Sequence, residues 1–81
     1  MTVLVLDGAL LGETLARAGD EDVIVVEHSA SELERLERDA ADPRVFYLIG
    51  DPEILPLPDR SVDTAVGEGI EPELRRVVHR G

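Results

Sequence analysis

The sequence predicts an α/β fold built on a mainly parallel sheet, and three observations carry that expectation. Short apolar runs alternate with amphipathic stretches along all 81 residues. The runs are continuous rather than alternating with polar residues, as in strands covered on both faces. Each of the first three also stops abruptly, at Asp7-Gly8, at Glu27 and at Gly50-Asp51.

The elements follow in order. Val3-Leu4-Val5-Leu6 is the first buried strand, and residues 9 to 18 form a short helix with Leu11, Leu15 and Ala18 on one face. Gly19-Asp20 closes that helix, and Val23-Ile24-Val25-Val26 is the second strand. Ser29 with Glu32 makes a capping box for a helix over 30–41, whose apolar stripe is Leu33, Leu36 and Ala40. Glu34 and Arg38 form an i,i+4 pair on its wet face, and Pro43 stops it. Val45 to Ile49 is the third strand. Proline is too frequent between Pro52 and Asp59 for a helix, so this stretch reads as an ordered loop bearing Leu55 and Leu57. Thr64-Ala65-Val66 is a shorter fourth strand. A last helix starts near Pro72 and aligns Leu74, Val77 and Val78, with Arg75, Arg76, His79 and Arg80 at the end that favours cations.

Composition narrows the function classes. The length suits one domain with a small core, a size that usually needs a staple or a partner. The chain has no cysteine, which excludes disulfides and cysteine-bound metals. Eighteen acidic residues face eight basic ones, all arginine, for a net charge of −10. Such a surface repels phosphate backbones and anionic membranes, so neither nucleic acid nor a membrane is an expected partner. Phe46 and Tyr47 are the only aromatic residues, too few for a base-stacking platform. No apolar run approaches the roughly 20 residues needed to span a bilayer, and a cytoplasmic protein is expected.

Ligands of parallel α/β sheets bind beyond the carboxyl ends of the strands, where Asp7, Glu27 and Asp51 all fall. Glu27 lies about 20 residues past the first turn, the spacing at which a carboxylate accepts hydrogen bonds from a ribose diol. A solvated strand-end carboxylate is the alternative for Glu27, and a local Asp-Pro turn cap the alternative for Asp51. His28 and His79 are isolated and read as solvated side chains. Asp7-Gly8-Ala9-Leu10 has a phosphatase-like look, but Val5 stands where the nucleophilic aspartate belongs. A phosphoreceiver needs a lysine, and the chain has none.

The stretch from Gly50 to Asp63, Gly-Asp-Pro-Glu-Ile-Leu-Pro-Leu-Pro-Asp-Arg-Ser-Val-Asp, is more specific. It resembles the Gly-Asp-Ala-x-x-Leu-Pro-Phe-x-Asp-x-Ser-Phe-Asp segment of class I S-adenosylmethionine (SAM)-dependent methyltransferases. Val25-Val26-Glu27 and the Glu73–Gly81 stretch are also similar to that family. The resemblance implies a three-layer Rossmann-like domain over 1–81, with strand order 3-2-1-4 and about three helices, lacking the C-terminal strands of a full methyltransferase. It implies SAM as cofactor, with Glu27 on the ribose, Asp51 on the adenine amino group, and Ile54 or Leu55 near the ring. Asp7, Gly8, His28 and Pro52 complete the implied cofactor-binding set, with no catalytic residue and no metal ligand.

The first loop departs from the family pattern. Asp7-Gly8-Ala9-Leu10-Leu11-Gly12 keeps two glycines at the wrong spacing, and Leu10 and Leu11 are placed to fill ligand space. Two functions follow as expectations. One is a SAM- or S-adenosylhomocysteine-binding half-domain that does not catalyse alone. The other is a pseudo-methyltransferase with an assembly or regulatory role and no nucleotide. Either way, a homo-oligomer or protein partner is expected at the open edge near Thr64–Val66 and on the sheet face covered only by the last helix and the proline-rich loop.

Overall fold

The computed structural model describes residues 2–40, 42–51, 53–67 and 71–79. Its four strands are β1 (Thr2–Val5), β2 (Asp22–Glu27), β3 (Val45–Ile49) and β4 (Thr64–Val66). They form one sheet in the order β3-β2-β1-β4, with every neighbouring pair parallel. A 3-10 turn at Gly8–Leu10 leads into α1 (Leu11–Ala18), followed later by α2 (Ala30–Ala40) and α3 (Glu71–Val77). The expected strand order and helix count therefore hold, and no element lies more than two residues from its expected start.

Register explains why the strands are apolar throughout. Val3, Val23 and Val45 stand side by side across β1, β2 and β3, as do Val5, Val25 and Tyr47. Side chains alternate between faces, so one strand feeds two cores. Val5, Val23, Val25 and Val45 pack with Leu11 and Ala18 beneath α1 and α2. Leu4 and Val26 face the other way and pack with Leu55, Val62 and Val77. Right-handed crossovers put α1 and α2 on the first face. The chain then reverses its direction of travel across the sheet after β3, and its return covers the second face.

Over β1 that second face is closed by α3 and the proline-rich loop, whereas Phe46, on the same face of β3, is 54% exposed. Leu4, Val62 and Val77 are fully buried, and Leu55 nearly so. The seal depends on Arg76, which turns away from the end of α3 and into the proline-rich loop. Its guanidinium donates to the Leu55 carbonyl at 3.0 Å, the Leu57 carbonyl at 2.7 Å and Asp59 Oδ1 at 2.9 Å. It also grips both carboxylate oxygens of Glu73, whose Oε1 in turn accepts from the Leu55 amide at 2.8 Å. Bidentate charge-assisted contacts of this kind fix geometry as well as contributing energy. Gly50 permits the loop's return, because a Cβ there would lie 2.6 Å from Pro56 Cδ.

The opposite face has a gap of its own. Beside α1, the β4 surface is left open as a groove of about 270 Å³ lined by Val3, Leu10, Thr14, Arg17, Thr64 and Val66. The approach to β4 is paired at Val62, while Thr64–Val66 has no outer partner strand among the described residues. The Val62 amide donates to the Val77 carbonyl at 3.0 Å, and the His79 amide donates to the Val62 carbonyl at 2.6 Å. These bonds make a parallel bridge between Val62 and Val78, so the chain leaving α3 pairs beside the approach to β4.

Smaller contacts set the remaining turns. Ser29 Oγ accepts from the Glu32 amide at 3.4 Å, one arm of the expected capping box, while the Glu32 carboxylate pairs with Arg35. Ion pairs on helix surfaces include Glu13–Arg17, Glu32–Arg35 and Glu73–Arg76, while Glu34–Arg38 is not formed. Before β3, Arg44 binds both oxygens of Asp42, at 3.0 and 2.7 Å, and donates to the Gly19 carbonyl. This ties the entrance of β3 to the turn after α1.

Two outcomes follow. Leu55→Ala removes the loop residue that fills the second core and should cost about 2–5 kcal/mol, read as a shift in urea midpoint. Asp42 is held down at about 2 from its ordinary 3.8 by its hydrogen bonds from the Arg44 side chain and backbone. Glu73 is lowered by Arg76 and the Leu55 amide. A lowered carboxylate stabilises the fold above its unfolded value and loses that contribution as pH falls through its folded value. Chemical stability should therefore decline on acidification from about pH 5 toward pH 2. Asp42→Asn should flatten the lower part of that decline.

Candidate functional site

The carboxyl ends of β1, β2 and β3 bring Asp7, Glu27 and Asp51 to one rim of the sheet, as their positions after the apolar runs require. Two crevices open along it. The first, about 320 Å³, is lined by Asp7 and Gly8 from the turn after β1, by Glu27, and by Glu32, Arg35 and Leu36 of α2, among others. The second, about 420 Å³, is lined by His28, Ile49, Gly50 and Asp51. The structure thus groups Asp7, Gly8 and Glu27 in one crevice and His28 and Asp51 in the other. Ile54 lines neither; it is 74% exposed and joined to Asp51 by an isolated antiparallel bridge. Pro52 lies outside the described residues.

The three strand-end carboxylates are not equivalent. Asp7 Oδ1 accepts from the Ala9 amide at 3.0 Å and caps the 3-10 turn. Asp51 Oδ1 accepts from the Glu53 amide at 2.8 Å, and the Asp51 carbonyl accepts from the Ile54 amide at 3.0 Å. Asp51 therefore makes the local turn cap considered from sequence, with one carboxylate oxygen still uncommitted. Glu27 is different. Its side chain is only 17% exposed, and among the described residues its one polar side-chain contact is His28 Nδ1 at 3.4 Å. A mostly buried carboxylate with open acceptor positions suits a ligand carrying hydroxyl donors.

Packing accounts for two glycines at the first crevice. A Cβ on Gly8 would lie 2.6 Å from Leu36 Cδ1, so Gly8 lets the turn after β1 approach α2. Leu11 is buried in the first core and Leu10 packs against it, so neither projects into the rim as the sequence had implied. Leu36 is the residue that narrows the crevice. Gly67 was missed in sequence: its φ of +103° is a left-handed conformation, and a Cβ there would meet the Asp7 amide nitrogen at 3.3 Å. Its only sequence signal is a glycine directly after the fourth strand. The Leu6 amide donates to the Val66 carbonyl at 2.9 Å, so this corner buttresses the turn that carries Asp7.

Electrostatically, the first crevice sets Asp7, Glu27, Glu32 and Asp39 against Arg35. Its sign is negative, within a chain of net charge −10. Phosphates are repelled there, and neutral or cationic ligands are favoured. Among the described residues no three histidine, aspartate or glutamate side chains converge as a metal-binding group. No helix among them is long and apolar enough to cross a membrane.

Fold and site define a parallel α/β unit with a polar rim at the carboxyl ends of its strands. No family model and no curated protein matches the sequence. Among solved structures, it is similar to a chain of the "Complex between the Haloferax volcanii Trm112 methyltransferase activator and the putative methyltransferase". The two superpose with a TM-score of 0.72 at 22% identity, over 95% of this chain and 40% of that one. At that identity the likeness is one of fold, and this chain spans well under half the length of its neighbour.

The Gly8–Leu36 contact yields a measurable coupling. Gly8→Ala should cost about 1 kcal/mol, because the flexible end of Leu36 must move aside. Adding Leu36→Ala should recover the steric part, with a coupling of about 0.5–1 kcal/mol in a double-mutant cycle.

Proposed function

We propose that this chain is the nucleoside-binding half of a methyltransferase-like, Rossmann-like domain that holds SAM or S-adenosylhomocysteine at its strand rim. The observation that carries the reading is Glu27, a largely buried carboxylate with open acceptor positions at the end of β2. There it takes the ribose hydroxyls, with Asp7 and Gly8 on one side and His28, Asp51 and Ile49 on the other. Pro52 and Ile54 belong to the same proposed set through their place in the Gly50–Asp63 segment. The fold likeness to a chain from a methyltransferase complex supports this reading.

Charge supports SAM over phosphate-bearing nucleotides. SAM carries a sulfonium cation and no phosphate, whereas dinucleotides and nucleoside triphosphates place anionic groups at the same rim. An acidic crevice discriminates against the latter.

A second reading is favoured by one observation: Leu36 against Gly8 narrows the space where the methionine portion would run. In that reading the chain binds no nucleotide and serves as an assembly or regulatory partner, as the protein–protein complex containing its structural neighbour illustrates.

Isothermal titration with S-adenosylhomocysteine separates the two. The first reading expects binding that Glu27→Gln weakens by about tenfold or more, the loss of one or two hydrogen bonds to a charged group. ATP and NAD should give no heat. Absence of heat with millimolar S-adenosylhomocysteine overturns the first reading and leaves the second.

A further inference from the structure

We infer that the rim reads the adenosine 5′-thioether of its ligand and gives no hold to an amino-acid carboxylate. A nucleoside without that tail is then bound at least as tightly as S-adenosylhomocysteine. The inference rests on the nucleoside site proposed at Glu27 and concerns what lies beyond the ribose. With the base toward Asp51 and the hydroxyls at Glu27, the 5′ substituent runs into the crevice lined by Asp7, Gly8, Glu32, Arg35 and Leu36.

A carboxylate taken out of water is costly to place unless donors replace the water. Backbone amides in the turn that opens a helix are a ready source of such donors. Here the turn after β1 spends them on itself. The Ala9 amide donates to Asp7 Oδ1 at 3.0 Å, the Leu10 amide to the Asp7 carbonyl at 2.9 Å, and the Leu11 amide to the Gly8 carbonyl. Asp7 thus fills with its own carboxylate a position that a ligand carboxylate would need. Leu36 stands over Gly8, with Cδ1 2.6 Å from where a Cβ would lie, and keeps a tail off the turn's backbone.

The cation of the crevice is committed as well. Among the described residues that line it, Arg35 carries the positive charge, and its guanidinium donates to Glu32 Oε2 at 2.5 Å. Asp39 lines the same crevice and adds negative charge. A tail carboxylate would have to displace Glu32 from Arg35 while facing Asp7 and Asp39. The ammonium group of the same tail is not repelled, so the carboxylate is the part that the crevice rejects.

5′-Methylthioadenosine keeps the nucleoside and the sulfur and lacks the amino-acid end. Isothermal titrations of the full chain with it and with S-adenosylhomocysteine test the inference. 5′-Methylthioadenosine should bind with equal or greater affinity, and Glu27→Gln should weaken both ligands about tenfold or more. Arg35→Ala alters an exposed side chain and should leave the ratio of the two affinities unchanged. S-adenosylhomocysteine as the tighter ligand by about threefold or more overturns the inference and leaves the Glu27 site standing. So does an Arg35→Ala chain that loses affinity for S-adenosylhomocysteine alone, because Arg35 then holds the carboxylate. Absence of heat with both ligands overturns the Glu27 reading itself, and the inference with it.

Discussion

The structure rests on one constraint: β1 and β2 are apolar on both faces, so neither face of the sheet can be left wet. Leu4 and Val5, adjacent in sequence and opposed in direction, are both fully buried. Helices α1 and α2 meet the requirement on one side by ordinary amphipathic packing. The other side has only a seven-residue helix and a loop with several prolines. Arg76 converts that loop into a layer by occupying two of its carbonyls and Asp59 while braced on Glu73. Backbone carbonyls there are satisfied by a guanidinium in place of a regular ladder, which is how an irregular segment serves as a core wall.

The same arrangement produces the rim. Because the sheet order reverses at β1, connections diverge to opposite faces and leave crevices beyond the strand ends. The rim's polar groups divide between scaffold and ligand. Asp7 and Asp51 spend an oxygen capping the turns that follow their strands, which holds those turns in place. Glu27 is held at the rim with open acceptor positions and is the natural first contact for a donor-bearing ligand.

The fold likeness bears on how such a unit is completed. The matched region is 40% of that chain, so the likeness concerns the sheet and its helices and not the rest of that protein. In the present chain the groove beside α1 and the outer edge of β3 remain open among the described residues.

Much of this was legible in the sequence. Continuous apolar runs announced buried parallel strands, the punctuation at Asp7-Gly8, Glu27 and Gly50-Asp51 marked their ends, and the family-like Gly50–Asp63 segment implied the strand order. Those features are local, so residue type and spacing suffice to read them. The role of Arg76 was not legible: at a helix end it looked like a dipole cation, and its carbonyl partners lie 19 and 21 residues away. Leu36 reaching Gly8 was equally hidden, since a helix stripe says which face is apolar but not which glycine it will meet. The sequence alone determined the layers and the acidic rim, because these follow from periodicity and charge. Only the tertiary structure decided how the proline-rich loop is held over β1 and which strand-end carboxylates cap their own turns, because those depend on contacts that close after the elements have formed.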